Sequence, residues 1–243
     1  MINSDVPVVV LISARAEWRV VREYFPKVGV HPSPYGEWFW VYLEVSGAPL
    51  PVIFFHGGWG KIAASGSTQY AIDRWSPRLL VNLGTCGGFE GEIERGAIVL
   101  VERTLVYDII EQMGNPMAAL AHYTTDLDLS WLEDPPPQPV VRGLLLSADR
   151  DLVAEEVAGL KAEFGAQVAD WESGAIAYVA ARNGVPCLIL RGVTDLVGAG
   201  GGEAYDGTVA LFARRAREIM STLLDALPRW LEQVQPDLRH SEP

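Results

Sequence analysis

The chain has 243 residues, with 19 Lys and Arg against 31 Asp and Glu, for a net charge of −12. That balance repels phosphate backbones and anionic lipid, so nucleic-acid and membrane-surface binding are poor expectations. The apolar fraction of 49% is too high for disorder, no run approaches the ~18 apolar residues of a membrane span, and two cysteines, Cys86 and Cys187, make neither a disulfide framework nor a metal cluster.

Short apolar runs recur, each followed by small or polar residues and then a helical pattern. Val8–Ile12 is a strand; it lacks the basic flank and small-residue cleavage site of a signal peptide. Arg15–Phe25 follows as a helix with Trp18, Val21 and Phe25 near one face. Trp38–Val45 and Pro51–Phe55 read as a strand pair about the Ser46-Gly47 turn. A small-residue helix, Ile62 to Arg74, stops at Ser76-Pro77. Arg78–Leu83 is a buried strand ending in Gly84-Thr85-Cys86-Gly87-Gly88, and Gly96–Val101 is another strand. Gly143–Leu146 opens a further unit, with a helix Asp151–Phe164 closed by Gly165. Ala166–Ala169 and Pro186–Arg191 are strands on either side of a helix Glu172–Arg182. A last helix runs from Asp206 to Leu231, interrupted near Pro228.

Strands alternating with helices predict an α/β fold: three layers, α/β/α, about a central mixed, mostly parallel sheet. No linker divides the chain, so residues 1–234 form one domain and 235–243 a flexible tail. Asp134–Pro139 is a stiff extended loop and Gly198–Gly202 a mobile one. The composition and the free cysteines suit a soluble, cytoplasmic protein.

Ligands of open α/β sheets collect beyond the carboxyl ends of the strands. Glu17, Trp59, Lys61, Thr85, Cys86, Gly87, Trp171, Glu172, Thr194 and Asp195 all fall just past such ends. Carboxylates, flexible glycines and two tryptophans on one rim suit a small-molecule site with acid/base capacity. Each also has a plainer reading. Glu17 and Glu172 can be first-turn helix acids, Asp195 an Asx turn, the tryptophans core residues and Cys86 a small core residue. The Gly58-x-Gly60 loop lacks the third glycine of a dinucleotide site, and Lys61 lacks the ending of a Walker loop. His31, His122 and His240 lie in loops or the tail without metal spacing, and no cofactor is indicated.

Five stretches in order resemble the purine nucleoside phosphorylase and nucleosidase superfamily, and within it the 5′-methylthioadenosine/S-adenosylhomocysteine nucleosidases, from about Val8 to Trp230. Ser13–Glu17 is similar to the loop ending in that family's catalytic glutamate. Gly57-Gly58-Trp59-Gly60-Lys61 is similar to its Ser-Gly-Ile-Gly-Lys loop. Asn82 to Gly88 resembles its Asn-Thr-Gly-Ser-Ala-Gly-Gly stretch, which places Thr85, Cys86 and Gly87 on the nucleoside pocket. Asp170-Trp171-Glu172 stands where the family has Glu-Met-Glu, and Arg191-Gly192-Val193-Thr194-Asp195 resembles Arg-Ala-Ile-Ser-Asp.

The resemblance implies hydrolysis of a purine N-glycosidic bond, in a 5′-substituted adenosine such as methylthioadenosine or S-adenosylhomocysteine, with release of the free base. It puts the general acid on Asp195, the water-activating base on Glu17 and the ribose contact on Glu172, with Trp171, Trp59 and Thr194 lining the site. Asp195 would need a raised pKa, from a dry pocket walled by Trp171 and Trp59. A phosphate-dependent phosphorylase is the alternative; it needs cations for phosphate, and only Arg15 stands near the first loop. A nucleoside-binding sensor without turnover is the other.

Two departures from the family concern substrate. After Ser147-Ala148-Asp149-Arg150, Asp151 stands where the adenine-specific enzymes have a stacking aromatic; it can instead cap its helix. The segment Tyr107–Pro139, expected to contact the 5′ substituent, does not match the family. The resemblance also implies a homodimer, for which Trp38, Phe39, Trp40 and Trp131 are surplus aromatics.

Overall fold

The structure is a computed structural model and describes residues 7–198, 201–202 and 209–234. In chain order the elements are β1 (Val8–Ile12), α1 (Arg15–Tyr24), β2 (His31–Pro32), β3 (Glu37–Val45), β4 (Ala48–His56), α2 (Gly60–Trp75), β5 (Leu79–Phe89) and β6 (Ile98–Val106). There follow α3 (Pro116–His122), β7 (Thr124–Asp126), β8 (Val141–Ser147), α4 (Ala154–Phe164), β9 (Val168–Asp170), α5 (Ser173–Arg182), β10 (Cys187–Gly198), β11 (Gly201–Gly202) and α6 (Val209–Glu232).

The strands form one mixed sheet, ordered β11-β10-β6-β8-β9-β5-β1-β4-β3-β2. β10 also pairs with β5, so the pairings from β10 through β6, β8, β9 and β5 return to β10. The ladders β4-β1-β5-β10 are parallel, as is β6-β8-β9, while the β2-β3-β4 edge is antiparallel. β1 shows why the layers number three. All five of its residues are buried, and successive side chains point to opposite faces. Val8, Val10 and Ile12 pack with Trp18 and Val21 of α1 and with Met220 and Leu223 of α6. Val9 and Leu11 pack with Ala64 and Ala71 of α2 and with Ile176 and Ala180 of α5.

Local chemistry sets the joints. Ser46 and Gly47 have φ of 51° and 76°, the left-handed pair that lets two residues close the β3–β4 hairpin. Gly165, at φ 66°, ends α4 by donating its amide to the Lys161 carbonyl.

The structure differs from the sequence expectation at several points. Two strands run past their expected ends at Leu83 and Arg191: Gly84 to Gly88 is part of β5, and Gly192 to Asp195 is part of β10. The glycines there serve close approach. A Cβ on Gly192 would lie 2.2 Å from Ile219, and one on Gly88 would lie 2.8 Å from both Val193 and Ile93. α6 is not interrupted at Pro228, which lies inside it. An interior proline costs a helix ~3 kcal/mol through a lost hydrogen bond and a ring clash, but Leu224, Leu227, Trp230 and Leu231 around it are all buried in one core. α4 begins at Ala154 with Val153 as N-cap, so Asp151 caps nothing. His31 falls on β2 and His122 on α3. Phe39 and Trp131 are buried, which removes them as surplus surface aromatics. Of the expected Gly198–Gly202 loop, Gly198 ends β10 and Gly201–Gly202 form β11, paired antiparallel to it; residues 199–200, the start of the last helix at Asp206 and the tail 235–243 lie outside the described residues. Among the described residues no helix is long and apolar enough to cross a membrane.

Candidate active site

The carboxyl ends of β1, β5, β9 and β10 meet at one cavity of about 260 Å³, close to the low end of small-molecule sites. Glu17, Trp59, Thr85, Cys86, Gly87, Trp171, Glu172, Thr194 and Asp195 all line it. The structure thus brings together nine of the ten rim residues the sequence singled out; the tenth, Lys61, pairs with Asp108 instead.

Glu17 sits in the first turn of α1 and is 2% exposed. Its two oxygens do different things. Oε2 accepts from the Ala14 amide at 3.2 Å, the turn-capping contact. Oε1 accepts from the Thr85 amide at 2.7 Å and the Thr85 hydroxyl at 2.8 Å. Burial pushes its carboxyl above the ordinary value, with the Arg191 guanidinium and the Thr85 bonds pulling against it.

Glu172 is the N-cap residue of α5, with φ −126° and ψ −32°, and not a residue of its first turn. Its side chain leaves the helix and accepts from the Gly60 amide at 3.0 Å. Gly60 opens α2 at φ 82°, a conformation that favours glycine. Burial, and then the neighbouring Asp170 charge, push Glu172 up to about 8 against the opposing pull of Arg191.

Asp195 owes its direction to an irregularity. Val193 pairs with Cys86 and Asp195 with Gly87, leaving Thr194 as the extra residue of a β-bulge. Bulges re-aim side chains beside active sites. The Thr194 hydroxyl donates to Asp195 Oδ1 at 2.7 Å.

Behind these acids lies Arg191, 1% exposed. Its Nη2 pairs with Asp170 Oδ2 at 2.9 Å and donates to Asn82 Oδ1 at 2.7 Å. Its Nε donates to the Ser173 hydroxyl at 2.9 Å. Gly84 makes room for it: a Cβ there would lie 1.6 Å from Arg191 Nη1 and 3.0 Å from Glu17 Oε1.

Trp59 and Trp171 stack, with centroids 4.7 Å apart and ring planes at 23°. Trp59 is 66% exposed, so the pair forms the mouth of the cavity and not a dry inner wall. Cys86 is buried, and burial pushes its thiol well above the ordinary value, which leaves it a poor nucleophile.

Tyr107, Arg150, Leu152 and Phe212 also line the cavity. Phe212 continues the stripe of Ala216, Ile219 and Leu223 on α6, so its spacing marks it only as a core residue. Of the segment Tyr107–Pro139, Tyr107 alone lines the cavity among the described residues. Among the described residues five carboxyl side chains line the space, those of Glu17, Asp151, Asp170, Glu172 and Asp195, against one cation, Arg150. Arg150 is paired with Glu156. No cluster of metal-ligating side chains occurs among the described residues.

The profile of the phosphorylase superfamily matches residues 19–229. The 5′-methylthioadenosine/S-adenosylhomocysteine nucleosidase of Actinobacillus succinogenes is 27% identical over 195 residues, covering 76% of this chain and 84% of that protein. Among solved structures, the nucleosidase of the same name from Neisseria meningitidis, in complex with methylthio-immucillin-A, superposes with a TM-score of 0.73 at 18% identity, over 94% of this chain and 100% of that one. The S-adenosylhomocysteine nucleosidase of Streptococcus pyogenes, in complex with 5-methylthiotubericidin, does so with a TM-score of 0.74 at 15% identity, over 95% and 98%. At such identities these two show a shared fold.

Proposed function

The chain belongs to the phosphorylase superfamily, and on that premise we propose that it hydrolyses the N-glycosidic bond of a 5′-substituted adenosine, such as methylthioadenosine or S-adenosylhomocysteine, releasing the free base. The observation that carries this reading is the convergence of Glu17, Glu172 and Asp195, from three separate strand ends, on one cavity.

A purine leaves poorly as an anion. Asp195 gives its proton to N7 as the C1′–N9 bond breaks, so the base departs neutral. The sugar becomes cation-like in that step. Glu172, in its ionised form, accepts hydrogen bonds from the ribose hydroxyls and offsets the developing charge. Glu17 orients a water against C1′ and takes its proton, while Thr85 fixes the carboxylate that does so. The new C1′–O bond completes hydrolysis.

Water is preferred to phosphate as acceptor on electrostatic grounds. Among the described residues five carboxyl side chains line the cavity. The lining cation Arg150 is held by Glu156, and the buried Arg191 by Asp170. A phosphate dianion would meet carboxyl groups already committed to other roles and no bidentate cation to receive it. The base, lacking an aromatic at Asp151, stacks instead on Trp171 or Trp59 at the mouth.

Residues 1–234 act as one nucleoside-binding domain, in a cytoplasmic enzyme whose two thiols stay free. Two copies form the working unit. Ile62, Ile110, Met113 and Met117 are 88%, 78%, 99% and 65% exposed, apolar surface that a second copy would cover. Light scattering reads this directly, and a monomer mass contradicts it.

Asp195→Asn tests the chemistry. The variant keeps its melting temperature, and release of base from methylthioadenosine, followed by chromatography, falls by about 10²- to 10⁴-fold. Near-normal turnover would mean that Asp195 is not the acid.

A further inference from the structure

From the arrangement around Arg191 we infer that Asp170 is a positioning residue, which fixes the direction of Glu172 and governs how much of the Arg191 charge remains available to Glu17 and Glu172. The inference rests on the nucleosidase reading of the site, and adds a group that acts there through Glu172 and Arg191.

Asp170 stands at the end of β9, and every acceptor position on its carboxylate is used. Oδ1 accepts from the Ser147 hydroxyl at 2.6 Å, the Glu172 amide at 3.2 Å and the Ser173 amide at 3.1 Å. Oδ2 accepts from the Ser173 hydroxyl at 2.5 Å and meets Arg191 Nη2 at 2.9 Å. The backbone of Glu172 therefore hangs on Asp170 while its side chain hangs on Gly60. Two anchors from different elements define one carboxylate. Displacing a catalytic group by ~1 Å can cost on the order of 100-fold in rate.

The charges make the second half of the argument. Three carboxylates, Glu17, Asp170 and Glu172, surround one guanidinium, and all four groups are at most 8% exposed. A buried charge without a partner is costly, so one cation must be shared among three anions. Asp170 has the direct contact with Arg191 and takes the largest part. Glu17 reaches the same guanidinium across the bare Gly84. The charged or titratable groups facing this cluster are Glu17 from α1, Cys86 from β5, Asp170 from β9, and Arg191 and Asp195 from β10. Glu172, left with the remainder, keeps its proton up to about 8.

Asp170→Asn preserves the shape of the side chain and removes its charge. Arg191 is then shared by two carboxylates instead of three. The Glu172 midpoint is expected to fall by about one pH unit or more, and the rising limb of the pH profile of kcat to move down with it. kcat itself should fall on the order of 100-fold from lost alignment, with a smaller change in KM, and Asp170→Glu should recover part of it.

Carbon-13 NMR titration of glutamate-labelled protein, with the Glu172 signal identified by its loss in Glu172→Gln, reads the midpoint without any turnover. Should Asp170→Asn not fold, Asn82→Asp places an added carboxylate beside Arg191, and the Glu172 midpoint should rise. A midpoint unmoved in the variant that folds overturns the inference, whatever the activity. A moved midpoint in a protein whose wild type frees no base upholds the charge-sharing and rejects the nucleosidase reading instead.

Discussion

The Gly60 amide donates to the Glu172 carboxylate at 3.0 Å, joining the first residue of α2 to the N-cap of α5 across 112 positions of sequence. One end of the candidate ribose site is thereby fastened to the other by a single bond. Gly60 can make it because its backbone is at φ 82°, and because it carries no Cβ, which would lie 3.2 Å from Asp149 Oδ1.

Gly60→Ala should therefore act twice. Holding alanine in the left-handed region costs about 1–2 kcal/mol, which unfolding in urea will read as lost stability. The α2 start should also shift away from Glu172, lowering kcat for base release. A variant of full stability and unchanged kcat would contradict this use of the loop.

Glu172 ties stability to pH in the direction opposite to most carboxylates. The unfolded chain releases this proton near the ordinary value of 4.5, whereas the fold retains it up to about 8. Between those values the unfolded state binds fewer protons, so stability falls as pH rises. The contribution is whole below about pH 4.5 and lost above about pH 8. Melting temperatures from pH 5 to 9 should fall more steeply for the wild type than for Glu172→Gln. Parallel slopes would show that Glu172 titrates normally.

Asp151 tests base recognition. It lines the cavity where the related adenine-specific enzymes carry an aromatic. An aromatic pair is worth ~0.5–1.5 kcal/mol beyond its buried area, so Asp151→Phe should lower KM for methylthioadenosine by about 2- to 10-fold while leaving kcat near its starting value. A raised KM would mean that the base lies elsewhere in the cavity.

Much of this architecture is legible in the chain, for reasons that particular residues make plain. Val8–Ile12 reads as a doubly buried strand because every position is apolar, and its alternate residues do enter two separate cores. The site residues are legible because they follow the apolar runs of the strands. Glycine hides how far β5 and β10 run, because Gly84 and Gly192 interrupt the apolar runs at points where the strands pack closely against Arg191 and Ile219. α3 and β7 escape notice because α3 buries none of its residues and β7 one of three. The role of Arg191 is hidden for another reason. A buried arginine is recognisable only once Asp170, Asn82 and Ser173, from three other elements, are seen to converge on it.

The central claim is that water, not phosphate, takes the sugar. Incubating the wild-type protein with methylthioadenosine in buffer free of phosphate, and again with phosphate added, while identifying both products, tests it most directly. The account predicts adenine and free methylthioribose at the same rate in both. Release of adenine only with phosphate present, with the sugar recovered as its 1-phosphate, would contradict it and would remove Glu17 from the role of water-activating base.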